Sequence, residues 1–300
     1  MKVLQRCGRS LHPLLARLAN AVATVGWPQC WKAAEVAAVW KRKGDPHDVT
    51  KFRPVALLPA VSRIVERALL AQLQAHLEAV DAFSAAQHGY RKEHSCETAL
   101  TRIVSPLGAA RARGETALLA SFDASGAFDG LSHQMLVAKL ERSAGVGGAA
   151  LHVIETFLSD RTFRVKMAGA RVSEWTAQRT GTPQGAVLSP TLWDVAVGDL
   201  PDHVDGEVVM LADDVNVIVS DVDPSVAQDK MNTVMKQVAA YMHCNRIIPA
   251  ADKTQMLLCP AHAKKSDAEK AVVCSMTGTP VIPTPTVTVL GAVLDEQLTW

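Results

Sequence analysis

The most informative segment of the sequence is Val208-Val209-Met210-Leu211-Ala212-Asp213-Asp214-Val215-Asn216-Val217-Ile218-Val219. Its two arms are rich in Val and Ile, as buried strands are, and the polar residues between them predict the tight turn of a hairpin. Two adjacent carboxylates at such a turn are costly because like charges a few ångströms apart resist joint ionisation. A divalent metal would offset this cost, since Mg²⁺ prefers carboxylate oxygens. A solvated Asp-Asp turn is the alternative that this stretch alone leaves open.

A second stretch supplies a third carboxylate. Residues 118–122 form another apolar run, and Asp123 follows it directly. An Asp at the end of one strand can lie beside an Asp pair at the turn of a neighbouring hairpin. Three carboxylates so placed can hold two metal ions about 3.5–4 Å apart, the arrangement that catalyses in-line phosphoryl transfer.

The composition predicts a folded chain with unevenly distributed charge. The 300 residues are 48% hydrophobic and 20% charged, which suits one large domain or two small ones and argues against wholesale disorder. The six Cys form no C-x-x-C pair, so we expect reduced thiols in an intracellular protein. Residues 1–67 hold twelve Lys and Arg against four Asp and Glu, whereas residues 121–300 hold fourteen against twenty-one. A basic front half could grip phosphates while an acidic back half holds metal, and ordinary surface variation is the alternative.

Hydrophobic periodicity predicts the main elements. Helices are expected over 10–25 (with Ser10 as a cap), 61–80, 96–104, 132–142, 149–158 and 224–243, and strands near 31–40, 51–59, 161–167 and 286–295. A break is expected at 108–114 and an exposed, Pro-rich insert at 262–285. The basic first helix also fits a mitochondrial transit peptide. No uncharged apolar run reaches the roughly 18 residues that a membrane span needs.

Three polar segments are candidates for binding nucleotides. The cluster Lys41-Arg42-Lys43 and Arg53 flank a loop between two predicted strands, where Arg offers a planar fork for phosphate oxygens. The turn Gly181–Gly185 lets the backbone approach a ligand closely, and Gln184 could bond a base or sugar edge. Lys253 could act as a general acid toward a leaving pyrophosphate. Taken singly, each is also an ordinary solvated loop or lysine.

These segments share one order and spacing with a known family. The chain resembles the reverse transcriptase domain of non-LTR (LINE-type) retrotransposons over nearly its whole length. The segments that carry the resemblance are Trp31-Lys32 through Arg53-Pro54, Gln87-His88-Gly89-Tyr90-Arg91, Phe122-Asp123 with Ala127-Phe128-Asp129, Thr182-Pro183-Gln184-Gly185 with Leu188-Ser189-Pro190, Asp199-Leu200-Pro201, Ala212-Asp213-Asp214, Lys253-Thr254-Gln255, and Leu290-Gly291 with Leu298-Thr299-Trp300.

The resemblance implies an α+β fold of the right-hand polymerase type, with fingers and a palm built on an antiparallel sheet and with the thumb absent. The corresponding bounds are 1–115 for the N-terminal helix and fingers, and 116–130 for the first acidic strand of the palm. Over residues 131–183 the chain would pass back through helices of the fingers and the palm. Residues 184–300 would complete the palm with the Asp-Asp hairpin and a strand like a primer grip.

The resemblance also implies roles. Asp123, Asp213 and Asp214 would be metal ligands and catalytic residues, with Lys253 as proton donor. Lys41, Lys43, Arg53, Phe128, Gln184 and Gly185 would bind the nucleotide, with Phe128 excluding a 2′-OH. Leu290 and Gly291 would form the primer grip, and Asp129 would have the milder role of a turn or cap. The cofactor would be two Mg²⁺ ions, with Mn²⁺ possible, and the partners RNA template, DNA primer and deoxynucleotides.

Departures from the family pattern keep other functions open. Leu211 stands where the family has an aromatic residue, and the chain stops at Trp300 where the family continues, so we expect part of a larger retrotransposon polyprotein. One alternative is a catalytically silent module that binds nucleic acid. Another is a polymerase that makes RNA, against which Phe128 argues. A nuclear location is expected if the chain belongs to an active retrotransposon.

Overall fold

The chain forms an α+β fold that divides into two units, each assembled from two separate segments. The computed structural model describes residues 8–42, 44–125, 127–167 and 172–299. Unit 1 comprises Met1–Ala82 and Phe128–Ala196, and unit 2 comprises Phe83–Ala127 and Val197–Trp300. The predicted α+β class with an antiparallel sheet is confirmed. The α-helices among the described residues are α1 (His12–Val25), α2 (Ala60–Ala79), α3 (Cys96–Ala112), α4 (Ala127–Gly130), α5 (His133–Arg142), α6 (Gly148–Leu158), α7 (Ser189–Val197), α8 (Pro224–Cys244) and α9 (Asp267–Lys270).

Short strands alternate with these helices along the chain. They are β1 (Ala33–Trp40), β2 (Phe52–Leu57), β3 (Thr116–Phe122), β4 (Ala124–Ser125), β5 (Arg161–Lys166), β6 (Thr176–Gln178), β7 (Glu207–Leu211), β8 (Asp214–Asp221), β9 (Ile248–Pro249), β10 (Gln255–Cys259), β11 (Cys274–Met276), β12 (Thr279–Val281), β13 (Thr286–Val289) and β14 (Ala292–Asp295). No helix in the described part of the chain is both long and apolar enough to cross a membrane.

Unit 1 contains a four-stranded sheet in the order β2-β1-β5-β6. β1 pairs antiparallel with β2 and parallel with β5, and β6 closes the other edge antiparallel to β5. The first helix begins later than predicted, because Ser10 lies in a 3₁₀ turn, Gly8–Leu11, and no side chain caps α1.

Unit 2 is built on an antiparallel sheet in the order β10-β3-β8-β7. β3 is buried along nearly its whole length, which agrees with a central strand flanked on both sides. One face of the sheet packs against α3, where a core cluster joins Ile103 and Leu107 of the helix to Leu119, Ile218 and Leu257 of the strands. The hairpin predicted around Asp213 is therefore confirmed as β7–β8 at one edge of this sheet.

α3 is longer than the sequence predicts. The break expected over 108–114 is confined to its end, because the helix continues through Pro106 and Gly108 to Ala112 and only the residues that follow form the turn before β3. Ser95 caps its start in a reciprocal capping box with Thr98. The buried side chains Ile103 and Leu107 pack on the sheet on both sides of the proline, so tertiary packing outweighs the local cost of Pro and Gly.

The segment 262–285 is also more ordered than predicted. It contains α9 and the hairpin β11–β12, with Val272, Cys274 and Met276 buried. A capping box between Ser266 and Glu269 starts α9, and the Glu269 carboxylate also accepts a hydrogen bond from Thr116 on β3 (2.7 Å). The expected exposure is confirmed for most of this segment, whereas Val272, Cys274 and Met276 are buried and the Glu269 carboxylate is held by hydrogen bonds. The regular structure of the segment is what the sequence did not predict.

His88 of unit 2 is a buried histidine with an acid-shifted titration. Its side chain is 5% exposed, and its Nδ1 lies 2.8 Å from Oγ1 of Thr98. Burial, together with the charges of His94, Arg102 and Arg91, lowers the pKa of His88 to about 4. The neutral imidazole is therefore the form that the folded chain accommodates.

We predict that the free energy of unfolding decreases as pH falls from about 6.5 to about 4, because the unfolded chain binds a proton at His88 that the folded chain resists. Above pH 6.5 this contribution is constant. The measurement is urea unfolding across this range for the parent, His88→Gln and, as a matched control, His262→Gln at an exposed histidine of the same unit. His88→Gln should flatten the acid-dependent loss and His262→Gln should retain it. Equal pH profiles for the parent and His88→Gln would contradict the assignment.

Candidate active site

The predicted metal ligands Asp213 and Asp214 lie at the turn between β7 and β8. Leu211 pairs with Asp214, which leaves Ala212 and Asp213 as a two-residue loop. Ala212 has φ 56°, in the left-handed region that β-hairpin loops of this length require. Leu211, which stands in place of an aromatic residue, packs against the core cluster below the turn. Both carboxylates are exposed.

Asp123 comes to the same end of the sheet. Phe122 pairs with Val215 in the antiparallel ladder of β3 and β8. Asp123 follows Phe122 and Asp214 precedes Val215, so the ladder places Asp123 beside Asp214. Partial loss of hydration raises the pKa of Asp214, and the negative charges of Asp213 and Asp123 raise it further. The structure therefore brings together the three carboxylates that the sequence predicted, here called the carboxylate cluster.

Lys253 joins the carboxylate cluster. Its Nζ lies 3.3 Å from Oδ2 of Asp123. The 3₁₀ turn Ala251–Lys253 that carries it is held next to Asp123, because the backbone N–H of Ala250 donates to the carbonyl oxygen of Asp123 (3.1 Å). Both charged side chains are about half exposed, so the pair is accessible to a ligand.

The oxygen donors of the carboxylate cluster are chemically suited to a divalent cation. These donors are hard carboxylate oxygens, the ligands that Mg²⁺ prefers. In the described part of the chain, however, no group of three or more His, Cys, Asp or Glu side chains is already arranged around a common point.

Leu290 and Gly291, the predicted primer grip, form the two-residue loop of a hairpin. The single strand predicted over 286–295 is wrong, since β13 and β14 pair with Val289 opposite Ala292. Both loop residues have positive φ, 52° and 84°, as in the tightest β-hairpin turns. Leu290 packs against the core cluster of unit 2, which fixes the position of the loop.

In unit 1, Phe128 and Gln184 are connected by Asp129, which follows Phe128 in the chain and contacts Gln184. The ring centroids of Phe128 and Trp193 are 5.2 Å apart, so the aromatic side chain is packed from one side. Nε2 of Gln184 lies 3.4 Å from one carboxylate oxygen of Asp129 and 3.5 Å from the other. Burial raises the pKa of Asp129, while Gln184 opposes the shift.

The turn Gly181–Gly185 is held by backbone hydrogen bonds. Gly181 N–H donates to Leu131 O (2.7 Å), and Thr182 N–H donates to Phe128 O (2.9 Å). Gln184 O accepts from the backbone N–H of Ala56 on β2 (2.7 Å). The predicted nucleotide-binding residues Phe128, Gln184 and Gly185 are thus tied to one framework within unit 1.

A buried carboxylate anchors the segment that follows this turn. Glu66 of α2 is fully buried and accepts hydrogen bonds from the backbone N–H groups of Val187 (2.5 Å) and Leu188 (3.3 Å). Burial raises the pKa of Glu66, and the two N–H donors lower it. Burial lowers the pKa of Arg161 to about 10, and the negative charge of Glu66 opposes this decrease. A loop that reads as ordinary in sequence is therefore rigidly supported.

A cavity of about 400 Å³ lies beside the turn. It is lined by side chains of the unit 1 sheet, including Pro54, Ala56 and Phe163, and by Asp129 and Gln184. The cavity is mixed in character, with apolar strand residues on one side and polar groups at the turn. This combination is typical of sites for small ligands.

The basic residues predicted to bind phosphate lie on and near β1 and β2. Arg53 is exposed on β2 and pairs with Val39. Lys41 is exposed at the end of β1, and its Nζ donates to the carbonyl oxygen of Thr50 (3.1 Å). Lys43 and Trp300 lie outside the described residues.

Sequence reasoning missed two side chains that contact predicted site residues. Asp129, expected only as a turn or cap, contacts Gln184. Gln87, quoted within a motif but given no role, contacts Ala212 at the Asp-Asp turn. The position of Asp129 directly after Phe128 could have signalled its contact, whereas the contact of Gln87 spans 125 residues and has no local signal.

Comparison with known proteins identifies the family. The family model described as reverse transcriptase (RNA-dependent DNA polymerase) matches residues 41–294. The RNA-directed DNA polymerase from mobile element jockey of Drosophila melanogaster is 35% identical over 205 residues, 66% of this chain and 22% of the relative. Its Drosophila funebris counterpart is 30% identical over 213 residues, 68% of this chain and 23% of the relative. This chain thus spans under a quarter of the length of these two relatives.

A solved structure shares the fold. Apo telomerase from Candida tropicalis, truncated from its C-terminal domain, superposes with a TM-score of 0.62 at 14% identity and covers 97% of this chain and 59% of that one. The predicted resemblance to reverse transcriptases of non-LTR retrotransposons is confirmed by these matches.

We predict that Gly181→Ala disrupts the turn that holds Gln184. Gly181 has φ 75°, and a Cβ there would lie 2.5 Å from Phe128 O and 2.6 Å from Asp129 O. We expect a loss of about 2–4 kcal/mol in unfolding free energy, since both strain and a backbone clash arise. Gly145→Ala is the matched control, because its φ of 61° adds strain while no atom lies within 4 Å. The measurement is urea unfolding; equal losses in the two variants would contradict the clash.

Proposed function

Since the chain belongs to the reverse transcriptase (RNA-dependent DNA polymerase) family, we propose that it is the core of an RNA-directed DNA polymerase. It would add deoxynucleotides to the 3′-OH of a DNA primer paired with an RNA template. The observation that carries this proposal is the carboxylate cluster at the ends of β3 and β8, where the pKa of Asp214 is raised in part by Asp213 and Asp123.

In this proposal, unit 2 contributes the palm and unit 1 the fingers of a right-hand polymerase. The support is the antiparallel sheet of unit 2, which carries the three carboxylates, and the basic strands and supported turn of unit 1. The finer bounds predicted from sequence, at residues 115, 130 and 183, stay predictions. So does the nuclear location.

The carboxylate cluster would hold the divalent ions. Asp123 and Asp213 are the principal proposed ligands, and Asp214 adds charge next to them. Two bound Mg²⁺ or Mn²⁺ ions would supply activation of the primer hydroxyl and neutralisation of the leaving pyrophosphate. The chain's own contribution is positioning: the β-ladder places Asp123 and Asp214 side by side, and Ala212 and Asp213 close the hairpin.

Lys253 is proposed to donate a proton to the leaving pyrophosphate. In the free protein its ammonium lies 3.3 Å from the Asp123 carboxylate. This ion pair keeps the ammonium group close to the carboxylate cluster, within reach of a leaving pyrophosphate. Both side chains are exposed enough to exchange this contact for one with substrate.

Unit 1 residues are proposed to bind the incoming nucleotide. Arg53 and Lys41 offer exposed positive charge for the triphosphate, and Lys43 is the third member of this predicted set. Gln184 and Gly185 would line the nascent base pair. Gln184 also lines the 400 Å³ cavity. Phe128, packed on Trp193, would form a rigid wall against a 2′-OH.

A silent module that binds nucleic acid is the second candidate function. The observation that favours it is Leu211, whose side chain packs into the core and provides no polar ring beside the turn. In this role Leu211 supports the hairpin while contributing nothing to a primer. Catalytic measurement separates the two functions.

We predict that the 300-residue chain extends a DNA primer on an RNA template with Mg²⁺ or Mn²⁺, and that Asp213→Asn with Asp214→Asn lowers kcat by about 10³-fold, or about 4 kcal/mol. Two carboxylates would no longer offset the charge of the ions. Asp267→Asn, whose carboxylate is 99% exposed on α9, is the matched control and should retain activity. A folded parent chain that binds the hybrid without extending it would favour the silent module.

We predict that Phe128→Val raises the use of ribonucleotides relative to deoxynucleotides by about tenfold or more, because a smaller side chain leaves room for the 2′-OH. The measurement is the ratio of kcat/KM for the two nucleotide types. Phe52→Val, a change of the same size at the start of β2 in unit 1, should leave the ratio unaltered. An unchanged ratio in Phe128→Val would remove Phe128 from the discriminating role.

A further inference from the structure

We infer that Gln87 is the positioning residue that holds the Asp213–Asp214 turn in its catalytic conformation, an inference that rests on the proposed function. Gln87 is fully buried and lies 125 residues before Ala212 in the chain. It does not touch the carboxylates themselves. Its side-chain amide forms hydrogen bonds with Ala212, the residue immediately before Asp213.

The Gln87 amide makes two hydrogen bonds to the backbone of one residue, Ala212, and this pair of bonds is here called the grip. Oε1 of Gln87 accepts a hydrogen bond from the backbone N–H of Ala212 (3.0 Å), and Nε2 donates to the carbonyl oxygen of Ala212 (3.3 Å). The N–H and C=O of one residue lie on opposite sides of its φ and ψ angles. One planar amide that binds both therefore restrains both angles.

Ala212 needs such a restraint. Its φ of 56° is in the left-handed region, which is unfavourable for a residue that carries a Cβ. Without an external partner, the turn would relax toward conformations that displace Asp213. The same Oε1 also accepts from the N–H of Gly89 (2.7 Å), which fixes the amide relative to its own segment.

The segment that carries Gln87 is fitted closely to the hairpin. His88 N–H donates to Met210 O (2.8 Å), and Met210 N–H donates to Ala86 O (2.8 Å), so residues 86–88 extend the ladder beside β7. A Cβ on Gly89 would lie 2.4 Å from the Ala212 nitrogen. Only glycine permits this approach, which brings the segment directly against the turn.

A second set of contacts makes this segment rigid. Nη1 of Arg91 donates to Ser84 O (2.6 Å) and to Gln87 O (3.2 Å), and its guanidinium lies 5.1 Å from the centre of the Phe83 ring. The backbone of Gln87 is thus held from behind while its side chain holds Ala212. The motif Gln87-His88-Gly89-Tyr90-Arg91 supplies the gripping amide, the small residue and the brace.

A neutral amide is the side chain that this position requires. It offers one donor and one acceptor, whereas a carboxylate offers acceptors only and would add a fourth negative charge near the cluster. A residue that only filled space would make neither bond. The chemistry therefore predicts that both removal of the amide and its conversion to a carboxylate impair the turn.

The test compares four chains of 300 residues: the parent, Gln87→Met, Ala212→Gly and the double variant. Methionine keeps the volume and removes both hydrogen bonds. Glycine accepts the left-handed conformation without a Cβ penalty, so it reduces the need for the grip. Gln237→Met is the matched control, since Gln237 holds a different turn of unit 2 through hydrogen bonds to Asp205.

Primer extension with Mg²⁺ gives kcat and KM for deoxynucleotide, and thermal unfolding sets the assay temperature at which every chain is folded. We expect Gln87→Met to lower kcat about 30-fold or more with KM changed less than about threefold, because a misplaced carboxylate impairs chemistry rather than nucleotide binding. Ala212→Gly should restore kcat of Gln87→Met about fivefold or more, and Gln237→Met should keep the parental kcat. Parental kcat in Gln87→Met, or failure of Ala212→Gly to restore it, would overturn the inference.

Hydrogen exchange of residues 210–214 tests the grip without activity. In Gln87→Met these amides should exchange about tenfold or more faster, while the amides of β3 exchange as in the parent. If the folded parent does not extend primers, the proposed function fails on its own, and exchange still decides whether Gln87 holds the turn. Unchanged exchange at 210–214 in Gln87→Met would refute it.

Discussion

The mutual repulsion of three carboxylates is the constraint on which unit 2 is organised. Asp123, Asp213 and Asp214 lie at the ends of paired strands, where partial burial and the neighbouring negative charges raise the pKa of Asp214. A chain free to move would separate these groups. The antiparallel ladder prevents this, because the register of β3 and β8 fixes Asp123 beside Asp214. The energy that opposes the repulsion comes from the strands themselves and from their packing on α3.

The devices that hold the turn act through the backbone of Ala212 and the side chain of Leu211, whereas Lys253 contacts the carboxylate of Asp123. Gln87 restrains Ala212, and Leu211 fills the core below the turn. Lys253, the one basic side chain that contacts Asp123 closely among those described here, sits on a turn tied to the Asp123 backbone. Each device leaves carboxylate oxygens accessible. A site that must accept ions and release product gains from this division between rigid backbone and exposed side chain.

Unit 1 shows the same division with different chemistry. The turn Gly181–Gly185 is fixed by hydrogen bonds of its backbone to Leu131, Phe128 and Ala56, and the next segment is fixed by the buried carboxylate of Glu66. Burying that charge is costly, and two N–H donors and the nearby Arg161 offset the cost. The exposed groups of this unit, Gly185 and Arg53 among them, are left to meet a ligand.

Features that depend on short-range patterns can be predicted from the sequence. They include the Asp-Asp hairpin, the strand that ends at Asp123, the α+β class and the family, because strand periodicity and motif order are local properties. Contacts that span long separations are established only when the chain folds. The grip of Gln87 on Ala212, the continuation of α3 past Pro106, and the burial of Val272, Cys274 and Met276 all depend on partners far away in the chain. Packing and buried hydrogen bonds at such distances outweigh local propensity, and no local pattern encodes them.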